Sequence, residues 1–248
     1  MIKLENLHKS FGNNDVLRGV NIEINKGSSM VVIGGSGTGK SVVLKCVLGL
    51  VTPDQGRIFV KGRDVTKTDQ DTFMSKFGML FQGGALFDSL PVWQNVAFRL
   101  LRGPKKINND EAYEIAIEKL RRVGLSGNVA DKFPAELSGG MQKRVGLARA
   151  IAANPEIIFF DEPTTGLDPI MSGMINDLIR EIVVEIGATA ITITHDMRSV
   201  RTIADDVAML HDGIIQWTGP IADLNNSNDP YLDQFVKGHS DGPIETIR

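Results

Sequence analysis

A single cysteine, Cys46, stands among 248 residues, so no intramolecular disulfide can form and a reducing compartment is the natural setting. A surplus of positive charge is also missing. With 27 Lys and Arg against 30 Asp and Glu the net charge is −3 and the pI near 5.8. General nucleic-acid binders usually carry a basic excess, and that class is set aside. Long apolar runs are absent as well. The best, SVVLKCVLGLV, is short and holds Lys45, whereas a bilayer-spanning helix needs roughly 18 or more apolar residues. The opening MIKLENLHKSF lacks the apolar stretch of a secretory signal. Together these absences predict a soluble chain, or one held at a membrane by a partner. There is no internal repeat and no low-complexity segment.

What is present is an ordinary globular composition, 42% hydrophobic and 23% charged, in a length that allows one large domain or two small ones with a sizeable core. The first 65 residues read mostly as strands: IKLENL, VNIEI and GRIFVKG carry β-branched, alternating patterns separated by turns such as GNND. SMVVIGG is a short continuous apolar run, the pattern of a strand buried on both faces. It leads into a glycine-rich loop and a helix, KSVVLKCVLGL.

Between roughly 83 and 153 the pattern turns helical. NNDEAYEIAIEKLRRVG places Tyr113, Ala116, Ile117, Leu120 and Val123 on one helical face, with Asn108 or Asn109 as N-cap and Gly124 as stop. A second helix is predicted over 139–152. From 156 onward come EIIFFDE, a helix near 170–186, ATAITITHD, a short helix near 197–203, and DVAMLHDGIIQWTG. Strand–helix alternation at this spacing predicts an α/β fold with a largely parallel sheet, into which the helical stretch is inserted. The last twenty residues read as a short helix and a polar tail.

Gly34-Gly35-Ser36-Gly37-Thr38-Gly39-Lys40-Ser41 fits G-x-x-x-x-G-K-[ST] between a buried strand and a helix, the context that makes a P-loop. Glycines let the backbone wrap phosphate oxygens, so that successive N–H groups and the helix N-terminus face the anion. Lys40 is suited to the β- and γ-phosphates, and the Ser41 hydroxyl to Mg²⁺. IIFFDE leaves Asp161 at the end of a buried strand as a second Mg²⁺ ligand, with Glu162 next to it as general base. His195 follows the core strand AITIT. A lone histidine there is often structural, but its place at the edge of the same sheet favours a γ-phosphate contact. Cys46 lies on the apolar face of the P-loop helix and is read as buried.

LSGG at 137–140, then FFDEP, TTGLDP and ITHD in order, narrow the possibilities. Over about residues 2–235 the chain is similar to the ATP-binding-cassette (ABC) ATPases. That resemblance implies a P-loop NTPase of ABC type: a mainly parallel core sheet with an N-terminal antiparallel β subdomain (1–82 and 154–235), an inserted helical subdomain (83–153) and a tail (236–248). It implies that Phe11 stacks on adenine, that Gln82 senses Mg²⁺ or water and links the site to the helical subdomain, and that Asp168 is the D-loop aspartate. Ser138, Gly139 and Gly140 match the signature that closes on the ATP of a second copy. The signature precedes the helix MQKRVGLARAIA, whose positive end offers an anion site. One chain thus has two phosphate-binding surfaces, and a head-to-tail dimer around two ATP molecules uses both. In that run Met141 replaces the commoner Gln.

One cassette and no long heptad run fit a stand-alone ATPase serving a separate permease. LFQGGALFDSLPVWQNVAF around Gln82, LSGGMQKRV and FVKGHSDGP look like the ATPases of Mla-type phospholipid transport systems. That likeness implies an MCE-domain lipid-binding protein and a small STAS-domain protein as partners, and a place on the cytoplasmic face of the bacterial inner membrane. It also implies that Leu86, Phe87, Leu90 and Trp93 belong to the groove that receives the permease's coupling helix. The alternatives are the ATPase of a small-solute importer and a non-hydrolysing regulatory module.

Overall fold

Alternating burial along the N-terminal strands accounts for the first sheet. β1 (Ile2–Phe11) buries Ile2, Leu4 and Leu7, and β2 (Asn14–Ile24) buries Leu17, Val20, Ile22 and Ile24, a one-sided pattern that covers a core. With β4 (Gln55–Val60) and β5 (Arg63–Asp64) they form a four-stranded antiparallel sheet in the order β2-β1-β4-β5. Its register sets Ile2 opposite Ile24 on one side and Val60 on the other. The structure, a computed structural model, describes residues 1–66, 77–102 and 106–245. It divides the chain into two units, Met1–Ser75 with Ile191–Arg248, and Lys76–Ala190.

In the first unit β3 (Ser29–Ile33) is buried along its whole length and runs parallel to β9 (Asp206–His211). β9 turns back into β10 (Ile214–Pro220) through Asp212 and Gly213, both at positive φ, as a two-residue hairpin requires. After β3 and its loop, α1 (Lys40–Val47) buries Val43, Leu44, Cys46 and Val47. Burial pushes the Cys46 thiol up to about 11, as expected for an inert core cysteine. α6 (Met197–Ile203) and α7 (Pro230–Lys237) begin on the aspartate caps Asp196 and Asp229.

In the second unit β6 (Phe77–Leu80) runs parallel to β7 (Ile157–Asp161), and Phe77 meets Phe159 edge-on at 5.3 Å. α2 (Val92–Val96), α3 (Asn109–Arg122) and α4 (Gly139–Ile151) pack on one another, and α5 (Pro169–Ile186) follows β7. α2 is too short to show a period in sequence. Asn108 is the N-cap of α3, accepting the Glu111 N–H at 2.9 Å. The buried face of α3 differs from the predicted one: Ala112, Ala116, Leu120 and Val123 are fully buried, while Tyr113 and Ile117 are half-buried. Tyr113 lies edge-on to Trp93 and sends its hydroxyl to Asp131 at 3.2 Å, so a ring with a polar tip stays at the rim.

β8 (Thr189–Ile193) falls across the division. The Thr189 N–H donates to the Glu156 carbonyl in one unit, and the Thr194 N–H, just beyond the strand, to the Val32 carbonyl in the other. The fold is thus the predicted α/β type, with an antiparallel sheet, mainly parallel pairing among the remaining strands, and inserted helices. Among the described residues no helix is long and apolar enough to cross a membrane. Residues 246–248 of the predicted tail lie outside the described residues.

Candidate functional site

The glycine-rich loop starts where β3 ends. Gly34 has φ 149°, and a Cβ there would overlap the Leu210 carbonyl oxygen of β9. Gly39, at φ 99°, closes against Val16 and Leu17, each 3.0 Å from where its Cβ would stand. At Gly34 only glycine lets the backbone pass so close, and at Gly39 the left-handed φ favours glycine. Lys40 is buried and folded over the loop, donating to the carbonyls of Gly34 (2.8 Å) and Gly35 (2.6 Å). The Thr38 hydroxyl donates to the Gly35 carbonyl at 3.0 Å. No acidic residue stands in the first turn of α1, so its positive end faces the loop undiminished, and Ser41 is exposed on that turn.

Two further predicted residues belong to the same unit. Because Thr194 bonds to Val32, the end of β8 lies beside the end of β3, and His195, exposed, follows at the edge from which the glycine loop springs. The next residue, Asp196, accepts from the Arg198 N–H (3.0 Å) and the Ser199 hydroxyl (2.8 Å), which fixes the chain around His195. Phe11 ends β1 with 50% of its surface exposed, opposite Asn14, and Lys9 Nζ stands 5.4 Å from its ring centroid. Its exposed ring suits stacking on a flat ligand.

The second unit carries Gln82, Ser138, Gly139, Gly140, Asp161, Glu162 and Asp168. Gln82 is exposed just after β6. Asp161 ends β7, and Glu162 turns the chain with φ 47°, a left-handed value uncommon for a residue with a side chain. Thr165 supports it: its N–H donates to the Glu162 carbonyl (3.3 Å) and its hydroxyl to Glu162 Oε2 (3.1 Å). Ser138 and Asp168 have a local role that their motifs do not announce, since both cap helices. Ser138 Oγ accepts the Met141 N–H at 3.3 Å at the start of α4, and Asp168 accepts the N–H groups of Ile170 (2.9 Å) and Met171 (3.0 Å) at the start of α5. A Cβ on Gly140 would stand 2.6 Å from Met171 Cε, whereas Gly139 has open space.

Three residues of this unit escaped the sequence reading. Lys143 has 4% of its surface exposed, and its ammonium donates to the Glu162 carbonyl at 3.4 Å. Burial lowers its pKa, and the charges of Asp161 and Glu162 work against that shift. Arg149 donates to the carbonyls of Gly84 (2.7 Å) and Ala85 (2.9 Å), clamping the loop after Gln82, and burial lowers its pKa too. Asn95, fully buried, accepts the Phe87 N–H (2.7 Å) and donates to the carbonyls of Phe87 (3.1 Å) and Leu90 (2.9 Å). It thereby shapes the loop that presents Phe87. The signal in sequence was a lysine sharing the helical face of Leu147 and Ala150.

Among the described residues no group of three or more His, Cys, Asp or Glu side chains is gathered to hold a metal. The hydroxyl of Ser41 in the first unit, and the amide oxygen of Gln82 and the carboxylate of Asp161 in the second, are each hard oxygen donors of the kind Mg²⁺ takes.

Comparison with known proteins follows the same lines. The family described as ABC transporter matches residues 17–165. The chain is 41% identical over 246 residues to the probable ribonucleotide transport ATP-binding protein mkl of Mycobacterium leprae, covering 98% of this chain and 70% of that protein. It is 38% identical over 247 residues to the intermembrane phospholipid transport system ATP-binding protein MlaF of Haemophilus influenzae, covering 98% and 93%. Among solved structures, a dimeric ATP-binding cassette in a post-hydrolysis state bound to ADP and Pi has a TM-score of 0.81 at 31% identity, covering 89% of this chain and 99% of that one.

Proposed function

Because the chain belongs to the ABC transporter family, as an ATP-binding subunit that hydrolyses ATP, we propose that it powers phospholipid traffic between the inner and outer membranes of a Gram-negative bacterium. The observation that carries this reading is the likeness to the H. influenzae intermembrane phospholipid transport protein, which runs through 98% of this chain and 93% of that one. The runs around Gln82, at 137–145 and at 235–243 support it.

In this reading Gly34, Gly35, Ser36, Gly37, Thr38 and Gly39 present N–H groups to the phosphates, and Lys40 swings from the loop carbonyls to the β- and γ-oxygens. Ser41, Gln82 and Asp161 would hold Mg²⁺, which would supply charge neutralisation to the phosphates. Glu162 takes a proton from the attacking water, a role worth roughly 10²- to 10⁴-fold in rate. His195 contacts the γ-phosphate and Phe11 stacks on adenine. Ser138, Gly139, Gly140 and Asp168 of a second copy close on the same ATP, so two chains enclose two nucleotides head to tail. Loss of the γ-phosphate removes what holds the closed state, which gives a mechanical cycle.

The partners of the reading are an integral membrane permease, an MCE-domain lipid-binding protein and a small STAS-domain protein, with the chain on the cytoplasmic face of the inner membrane and no nucleic acid. Phe87, 41% exposed and stacked on Phe98 at 4.2 Å in the loop that Asn95 shapes, suits a groove for the permease's coupling helix. A solute importer is the second reading, favoured by the ribonucleotide-transport name of the M. leprae relative. Affinity purification of the native membrane complex, with protein and lipid identification, separates the two. The expected result is a permease, an MCE-domain protein and bound phospholipid. Recovery of a solute-binding protein and no phospholipid would sink the lipid reading.

A further inference from the structure

The last described residues fold back onto α7. Gln234 of that helix is buried, 5% exposed, and its amide is engaged by the segment beyond the helix. Its Nε2 donates to the carbonyls of His239 (3.3 Å) and Ile244 (3.1 Å), and its Oε1 accepts the Ile244 N–H at 2.7 Å. Gly242 passes so close that a Cβ would overlap the Gln234 amide. α7 is itself anchored: Asp229 accepts the Leu232 N–H at 2.8 Å, Leu232 is fully buried, and Tyr231 lies 5.1 Å from the His211 ring. By bonding both the N–H and the C=O of Ile244, one side chain fixes that residue much as a neighbouring strand would, and with it Pro243 and Glu245.

Pro243 and Glu245 line a cleft of about 520 Å³. Its other walls include Ser36 and Gly37 of the phosphate loop and Asp15 and Val16 at the start of β2. With phosphates on the loop and a base on Phe11, which pairs with Asn14, the sugar of a nucleotide spans the stretch between them. That stretch is Asp15 and Val16. A carboxylate on this cleft meets hydroxyl donors there, and an ionised carboxylate is a strong acceptor for them.

We propose that the C-terminal segment, pinned by Gln234, forms a wall of the nucleotide cleft of its own chain, with Glu245 accepting a hydrogen bond from the ribose of ATP. This rests on the nucleotide reading of the Gly34–Ser41 loop. The test is equilibrium binding of ATP and of 2′,3′-dideoxy-ATP, with Mg²⁺, to the full chain. Wild type is expected to prefer ATP by roughly 5- to 20-fold, the scale of one hydrogen bond to a charged acceptor in a wet cleft. Glu245→Ala, at an exposed position, is expected to bind ATP more weakly by about the same factor and to lose the preference. Gln234→Leu, which cuts all three tethers, is expected to show the same loss, with circular dichroism confirming an intact fold. An unchanged preference in Glu245→Ala overturns the inference while leaving the nucleotide reading in place. Failure of wild type to bind either nucleotide overturns that reading, and the inference with it.

Discussion

Around Gly34 the backbone is positioned by side chains that are missing, whereas around Glu162 and Gln82 it is positioned by two cations, Lys143 buried and Arg149 half-buried. In the first region Gly34 lets loop and strand approach to a distance no Cβ permits, and Gly39, at a left-handed φ, fits tightly against Val16 and Leu17. In the second, Lys143 and Arg149 reach in from α4 and donate to carbonyls of Glu162, Gly84 and Ala85. The difference predicts opposite tolerances. The cradle accepts no added atom at Gly34, while a cation-held loop accepts changes of shape but not the loss of its donors.

The harshest way to break the first region is Gly34→Ala. Its methyl meets the Leu210 backbone, and the backbone strain alone is about 1–3 kcal/mol. No measurable ATP binding is expected by equilibrium titration, and near-wild-type affinity would show that the loop can yield. In the second region Glu162→Gln keeps the shape and removes the charge. ATP binding is expected to persist while phosphate release by the assembled complex falls about 100-fold or more, and unchanged release would remove Glu162 from the reaction. Arg149→Met then tests the clamp. Leaving the Gly84 and Ala85 carbonyls without their donor should lower unfolding free energy by about 1–3 kcal/mol in denaturant titration, whereas a neutral result would mean that solvent replaces it. Met141→Gln is the mildest. Ser138 takes the backbone N–H of residue 141, which any side chain leaves in place, so ATPase activity should stay within a few-fold of wild type. Ser138→Arg, which removes the cap and adds bulk, should abolish it, and near-complete loss in Met141→Gln would show that the thioether matters.

The first region was more legible in sequence than the second, for a physical reason. A strand, a glycine loop and a helix N-terminus are consecutive, so Gly34 to Ser41 carry their own geometry within one short stretch. Glu162 and Asp168 could be named the same way, each following or preceding a strongly patterned element. Their supports could not. Lys143 lies 19 residues from Glu162 and Arg149 lies 65 from Gly84, so only the folded chain pairs them. Asn95 and Gln234 read as ordinary polar residues, because nothing local says that an amide will be closed in and bonded on both sides. The misread face of α3 has a similar source: periodicity ranks Tyr113 and Ala112 by hydrophobicity, while packing ranks them by size and by where a hydroxyl can be satisfied.

Inside the second unit, main chain packs directly on main chain. A Cβ on Gly78 of β6 would overlap the Ala150 carbonyl, and one on Gly146 of α4 would crowd Leu80 at 2.8 Å and Gly84 at 3.3 Å. Backbone therefore rests on backbone between the helix that begins with the signature and the strand and loop that carry Gln82, with Arg149 bolted across the join. Layers of side chains would yield by changing rotamers, but two main chains in contact have no such slack. Parts fitted this closely leave no play, so the strand and loop around Gln82 and the helix begun by Ser138 are joined through main chain rather than through a compressible layer of side chains.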